Sequence, residues 1–241
     1  MAAYLYRTIR IQLKTSCLIV TSFTALWIGG ATNVRAQSFQ AGGYFTTVSP
    51  HGEFNENVTN NGYGAGGYFL VRLGSSPFLA GGDVGIVVYG SESRDEPFSL
   101  TIPEVSVSVR TSNNILLAHS ILRIQPREGR IRPYADGLIG LKHLFTRTSI
   151  CCQFDGEEIA GTTNLSDTTF SYGAGVGVQV PISRRSGLDI SLDGNVRYLR
   201  GTRGEYLKKG SIRRDNGQLF YDIFSSRTDV IAVQIGVSFS F

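Results

Sequence analysis

The stretch that decides the fold is Asp229-Val-Ile-Ala-Val-Gln-Ile-Gly-Val-Ser-Phe-Ser-Phe241. Ile231, Val233, Ile235, Val237, Phe239 and Phe241 recur at every second position, and Ala232, Gln234, Gly236, Ser238 and Ser240 fill the gaps. Successive side chains of a strand point to opposite faces, so this segment has one greasy wall and one polar wall. An apolar wall closing on an aromatic suits a strand whose outer side meets hydrocarbon.

The same period repeats upstream. Phe39, Ala41, Gly43 and Phe45 alternate with Gln40, Gly42, Tyr44 and Thr46. Tyr63, Ala65, Gly67, Phe69, Val71 and Leu73 oppose Gly64, Gly66, Tyr68 and Arg72. Phe78, Ala80, Val84, Ile86 and Val88 oppose Asp83. Near 131–147, Ile131, Ala135, Ile139, Leu141 and Phe145 oppose Arg132, Tyr134, Asp136 and Lys142. Phe170 to Val180 is the cleanest run, with Ser171, Gly173, Gly175, Gly177 and Gln179 between the apolar positions. Leu188, Ile190, Leu192, Val196 and Tyr198 oppose Asp189, Ser191, Asp193, Asn195 and Arg197.

The fourth segment is untidy. Val105, Val107 and Val109 are its apolar set before Thr111-Ser-Asn-Asn114, and Leu116, Ala118, Leu122 and Ile124 after it. That flip of parity predicts a bulge in one long strand, because a turn would give an odd strand count. Eight strands result. Short links at 74–77, 126–129 and 183–187 alternate with long ones near 49–60, 91–104, 148–167 and 201–226. Short periplasmic turns and longer external loops are the asymmetry of an outer-membrane barrel.

The N-terminus fits that address. Arg7, Arg10 and Lys14 precede an apolar run from Cys17 to Gly30 that is short for a membrane helix. Val34-Arg35-Ala36 offers small residues for cleavage, so residues 1–36 read as a signal peptide and 37–241 as one barrel domain. The signal carries four of the 23 basic residues and no acid, leaving as many Lys and Arg as there are Asp and Glu, 19. The pI of about 9.0 therefore belongs mostly to the export segment and does not point to nucleic acid.

On these residues the chain resembles the small eight-stranded outer-membrane β-barrel family related to the transmembrane domain of outer membrane protein A. Arg132-Pro-Tyr-Ala-Asp-Gly-Leu-Ile-Gly-Leu141 and Ser171-Tyr-Gly-Ala-Gly-Val-Gly177 resemble two of its strands. The resemblance implies an all-β, antiparallel, up-and-down transmembrane barrel. It also implies a C-terminal signal at Phe239 and Phe241 read by the barrel-insertion machinery, and a structural or surface-interaction role. Outer-membrane lipid and lipopolysaccharide would surround a monomer.

A secreted, lipocalin-like barrel would have the opposite facing, apolar inside. Arg72, Asp83, Arg132, Asp136, Lys142, Asp189, Asp193 and Arg197 all lie opposite the apolar stripes. Pointed inward they can pair into a polar plug, leaving a hydrocarbon-compatible exterior. Inward glycines (Gly42, Gly64, Gly66, Gly173, Gly175, Gly177) make room for Tyr and Arg. An open pore is not expected, and a small-solute channel is the alternative. Arg at outward Ile190 or Val176 should then be costly, and milder at inward Ser191.

Other candidates carry less. Gly62-Tyr-Gly-Ala-Gly-Gly67 matches a nucleotide-loop spacing but continues a strand with no helix after it. His51, His119 and His143 lack metal-ligand spacing, so neither metal nor cofactor is expected. His119 beside Ser120 is similar to the pair of outer-membrane lipid A deacylases, yet strand neighbours face opposite ways and no acid is placed to orient the histidine. No enzyme is expected. Cys151 and Cys152 are either an inert loop feature or a strained vicinal or intermolecular bridge. The basic residues Arg200, Arg203, Lys208, Lys209, Arg213 and Arg214 make the fourth long link either a solvated loop or an anion-binding one.

Overall fold

The computed structural model of the protein describes residues 38–99, 102–151, 158–185, 187–215 and 218–241. The expected signal peptide lies outside the described residues. Eight long strands form a closed antiparallel barrel: β1 (Phe39–Pro50), β2 (Gly62–Arg72), β3 (Phe78–Ser99), β4 (Ile102–Ile124), β5 (Arg132–Cys151), β6 (Glu158–Arg185), β7 (Leu188–Gly201) and β12 (Val230–Ser240). Each pairs with its sequence neighbour, and β1 with β12 seals the cylinder over a register from Gln40–Ser240 to Pro50–Val230. In hydrocarbon every backbone N–H and C=O needs an internal partner, which a sheet achieves only by losing its edges.

The facing is the one expected of a membrane barrel. Phe45, Val176 and Ile235 on the outside are 75%, 65% and 68% exposed, whereas Arg123, Lys142 and Gln179 inside are 0% exposed. The outward wall carries no charge until its upper border. On β4 it rises through Ile124, Leu122, Ser120, Ala118 and Leu116, then turns polar at Asn114, Ser112 and Arg110.

That border corrects the reading of β4. β4 pairs with β5 without interruption from Ser108–Cys151 to Ile124–Ala135. Val109 thus shares its side with inward Ile115 and Leu117, and exposed Arg110 shares its side with Leu116. The parity of the pattern flips because lipid gives way to water, so the apolar residues change side. The extra residue sits on β3 instead, where the register with β4 shifts between Val88 and Gly90 and Tyr89 is the surplus.

The long links are more structured than loops. β3–β4 and β5–β6 continue as hairpins beyond the belt, pairing out to Ser99–Ile102 and Cys151–Glu158. The first link holds a short helix, α1 (Glu53–Asn57). The fourth contains β8 (Arg203–Tyr206) paired with β11 (Phe224–Arg227), and β9 (Ile212–Asp215) paired with β10 (Gln218–Tyr221).

Candidate functional site

The barrel interior is where polar chemistry concentrates. Its centre is an alternating chain of charges. Arg123 donates from Nε and Nη2 to the two oxygens of Asp136, at 2.7 and 3.0 Å. Arg197 Nη2 lies 3.6 Å from Asp136, and its Nη1 donates to Asp83 at 3.0 Å. These groups come from β4, β5, β7 and β3, so the chain of charges spans the lumen rather than running along one strand. Removing such ions from water is costly unless each is paired and hydrogen-bonded, and here each is.

Tyrosines complete the ligation. Tyr44 donates to Asp83 at 2.9 Å. Tyr68 and Tyr134 donate to the two oxygens of Asp193 at 2.6 and 2.5 Å. The Arg123 guanidinium lies 3.7 Å from the Tyr134 ring centroid and 4.9 Å from that of Tyr68. Each tyrosine leans over a cross-strand glycine: Tyr68 over Gly42, Tyr44 over Gly66 and Tyr134 over Gly177. A Cβ at Gly42 would stand 2.5 Å from Tyr68 Cζ, which is why the ring fits only beside glycine. Toward the periplasmic end Gln40 and Gln125 both donate to Gln179 Oε1, at 2.9 and 2.8 Å. The gap left among these side chains is about 10 Å³, room for one water.

Of the residues expected to form the plug, Asp83, Asp136, Asp193 and Arg197 meet in this network. Arg132 is also buried and donates to Ser191 Oγ at 2.6 Å. Arg72 turns to the carbonyls of Ser76 and Gln125, both 3.3 Å away. Lys142 does not join the carboxylates; its ammonium donates to the carbonyls of Leu199 and Thr228 at 3.1 and 2.5 Å. Asp189 stays half-buried at the periplasmic end. Arg123 was missed by sequence reasoning, although parity places it inward between outward Leu122 and Ile124. Ser191, where an arginine is expected to be milder than on the lipid wall, is fully buried against Arg132.

Above the network the interior turns apolar and is capped. Phe54 of α1, fully buried, packs edge-on against Tyr206 at 4.9 Å and against Tyr89 at 5.9 Å between ring centroids. Tyr89 donates to the Leu207 carbonyl at 3.0 Å. Glu53 holds the cap laterally, accepting from Arg203 at 3.2 Å and from the Arg227 N–H at 3.3 Å. The first and fourth links and the surplus residue of β3 thus close the outer mouth together.

Two other candidates find their places. His119 lies inside, and its Nε2 is 2.9 Å from Ser171 Oγ, not beside Ser120. Asp83 is its register partner, so an acid does lie opposite the histidine on the next strand. Ser171 is fully buried and His119 nearly so. The side chains of Cys151, Arg213 and Arg214, and all of Cys152, lie outside the described residues. Phe239 and Phe241 face outward, and the Phe241 N–H donates to the Phe39 carbonyl at 2.9 Å. Among the described residues no group of His, Cys, Asp or Glu is arranged to hold a metal ion.

No family model matches the chain, and no curated protein does. Solved structures do. Neisserial surface protein A aligns at 11% identity with a TM-score of 0.39, covering 87% of this chain and 98% of that one. OprG of Pseudomonas aeruginosa aligns at 12% identity and TM-score 0.41, covering 86% and 97%. The attachment invasion locus protein of Yersinia pestis, solved with a heparin analogue, aligns at 14% identity and TM-score 0.34, covering 85% and 97%. The chain's own closed barrel, its uncharged outer belt and its ionised interior define an integral β-barrel of the bacterial outer membrane, of the small eight-stranded class.

Proposed function

We propose that the protein is a non-conducting barrel with a structural and surface-interaction role, holding paired β-hairpins above the outer membrane. The observation that carries this is the filled lumen: the Arg123–Asp136–Arg197–Asp83 chain crosses it, and Phe54, Tyr89 and Tyr206 cover its outer mouth. Ions need a continuous wet path, and a gap the size of one water is not one. What remains for function is the outer surface, where the β3–β4 and β5–β6 hairpins stand clear of the belt. Backbone pairing carried along both hairpins, with register shifts at Pro97/Ser99, Thr146/Arg147 and Ile150/Cys151, makes them platforms for a contact with another molecule, and no reaction is needed for that role.

The test is planar-bilayer recording of the purified, folded protein. A flat current over hours at moderate voltage is expected. Discrete, repeatable openings would overturn the proposal in favour of a small-solute channel.

A further inference from the structure

The outward residues of β7 rise in the order Ile190, Leu192, Gly194, Val196, Tyr198 and Arg200. Arg200 is the first charge on that wall, one outward position above the aromatic girdle. Its guanidinium lies 5.9 Å from the centroid of the Tyr198 ring. Tyr172 on β6 is its register partner, and the hydroxyls of both tyrosines are its electrostatic neighbours. The side chain is exposed, and no carboxylate among the described residues pairs with it. Asp229 shares this rim without pairing with Arg200. Its Oδ1 accepts from the Gly201 N–H at 2.9 Å and its Oδ2 from the Tyr198 hydroxyl at 3.5 Å. His51 packs edge-on against the same tyrosine, 5.7 Å between centroids.

An aromatic girdle marks headgroup depth. A cation fixed there, on the lipid-facing wall, meets the anionic groups of lipid before it meets anything else. The arginine fork matches two oxygens of a phosphate, and it is pre-oriented when its plane rests on aromatic rings. We propose that Arg200, beside the Tyr198 ring and the hydroxyls of Tyr198 and Tyr172, binds the phosphate of an outer-leaflet lipid headgroup. The acyl chain of that lipid would run down Val196, Val176 and Ala174, which adjoin on β6 and β7 below the site. The site rests on the membrane facing of the barrel and is independent of whether the barrel conducts.

The phosphate could come from a lipid A type molecule or from an anionic phospholipid, and the test separates them. The full folded barrel is placed in phosphate-free dodecyl maltoside micelles doped with bisphosphorylated lipid A, dephosphorylated lipid A or phosphatidylglycerol. Lipid retained on the protein is counted by native mass spectrometry. Correct folding of each variant is verified by heat-modifiable gel migration. Arg200→Gln should weaken retention of the phosphorylated lipid by about ten-fold, the worth of a charge-assisted bond. Arg200→Lys should recover part of it, and Arg130→Gln, in an exposed periplasmic turn, should change nothing. The stronger of the two phosphorylated arms identifies the source. Equal retention by wild type and Arg200→Gln, equal retention of dephosphorylated lipid A, or an equal loss in Arg130→Gln would each overturn the site. None of these results bears on the conductance experiment.

Discussion

Replacing Arg123 with methionine removes the centre of the interior network while keeping most of its volume. The side chain makes two bonds to Asp136, at 2.7 and 3.0 Å, between groups that are both 0% exposed. Removing one partner of a buried pair costs about 3–5 kcal/mol, because the other charge is left uncompensated. Asp136 keeps Arg197 at 3.6 Å and the Asn195 amide at 3.4 Å. These partial substitutes place the expected loss at the low end, about 3 kcal/mol. With a urea slope of about 1–3 kcal/mol/M, the unfolding midpoint in vesicles should fall by about 1 M or more. The folded fraction is read by heat-modifiable gel migration. Adding Asp136→Leu removes the stranded carboxylate and should restore at least half of the loss, a coupling that independent sites do not show. A single-variant cost below about 1 kcal/mol, the worth of a surface pair, would refute the claim that this network holds the lumen together. So would a double variant no more stable than Arg123→Met.

The other expectations rest on separate parts of the barrel. Val176→Arg, at a position 65% exposed on the lipid wall, should cost about 2–4 kcal/mol in the same urea assay, whereas Val176→Leu should be neutral. Gly42→Ala forces the Tyr68 ring to move and should destabilise by about 1–3 kcal/mol; the same change in a Tyr68→Leu background should be nearly silent. Phe54→Ala should loosen the cap before the barrel, so limited proteolysis should cut within 203–227 while the urea midpoint moves little. Lipid A extracted from cells with and without the protein should give identical mass spectra, and a lost or added acyl chain would revive the enzyme reading.

Most of the barrel is legible from the period of two. On β1, β2, β5, β6, β7 and β12 the residues read as outward are the exposed ones, because one face meets hydrocarbon and the other a crowded polar lumen. The same rule misleads on β4 above Leu116, where the solvent outside the strand changes and the apolar residues follow it inward. Which charges meet is not legible. Asp136 lies thirteen residues from Arg123 but 114 separate Arg197 from Asp83, and only the stagger of the closed cylinder decides such pairs. The cap was hidden for a similar reason. Phe54 and Tyr206 come from two separate links and Tyr89 from β3, segments that look unrelated in sequence, and their packing depends on the surplus residue that redirects β3. Interior aliphatics Leu70, Ile121 and Leu138 lie in one register row across β2 to β5, with Gly81 of β3 between the first two, a pattern invisible along any one strand.

The seal between β1 and β12 has a consequence for how the protein reaches its final state. Gln40 and Ser240 are register partners 200 positions apart, so the first strand to emerge during synthesis waits for a neighbour made after all the others. Until then both flanks of the nascent sheet display unpaired amides, which cannot enter a bilayer unescorted and invite pairing with other chains. Closure by such a distant contact is intrinsically slow. Transit across the periplasm must therefore be made in a held, unclosed form, with membrane entry and ring completion occurring as one concerted event.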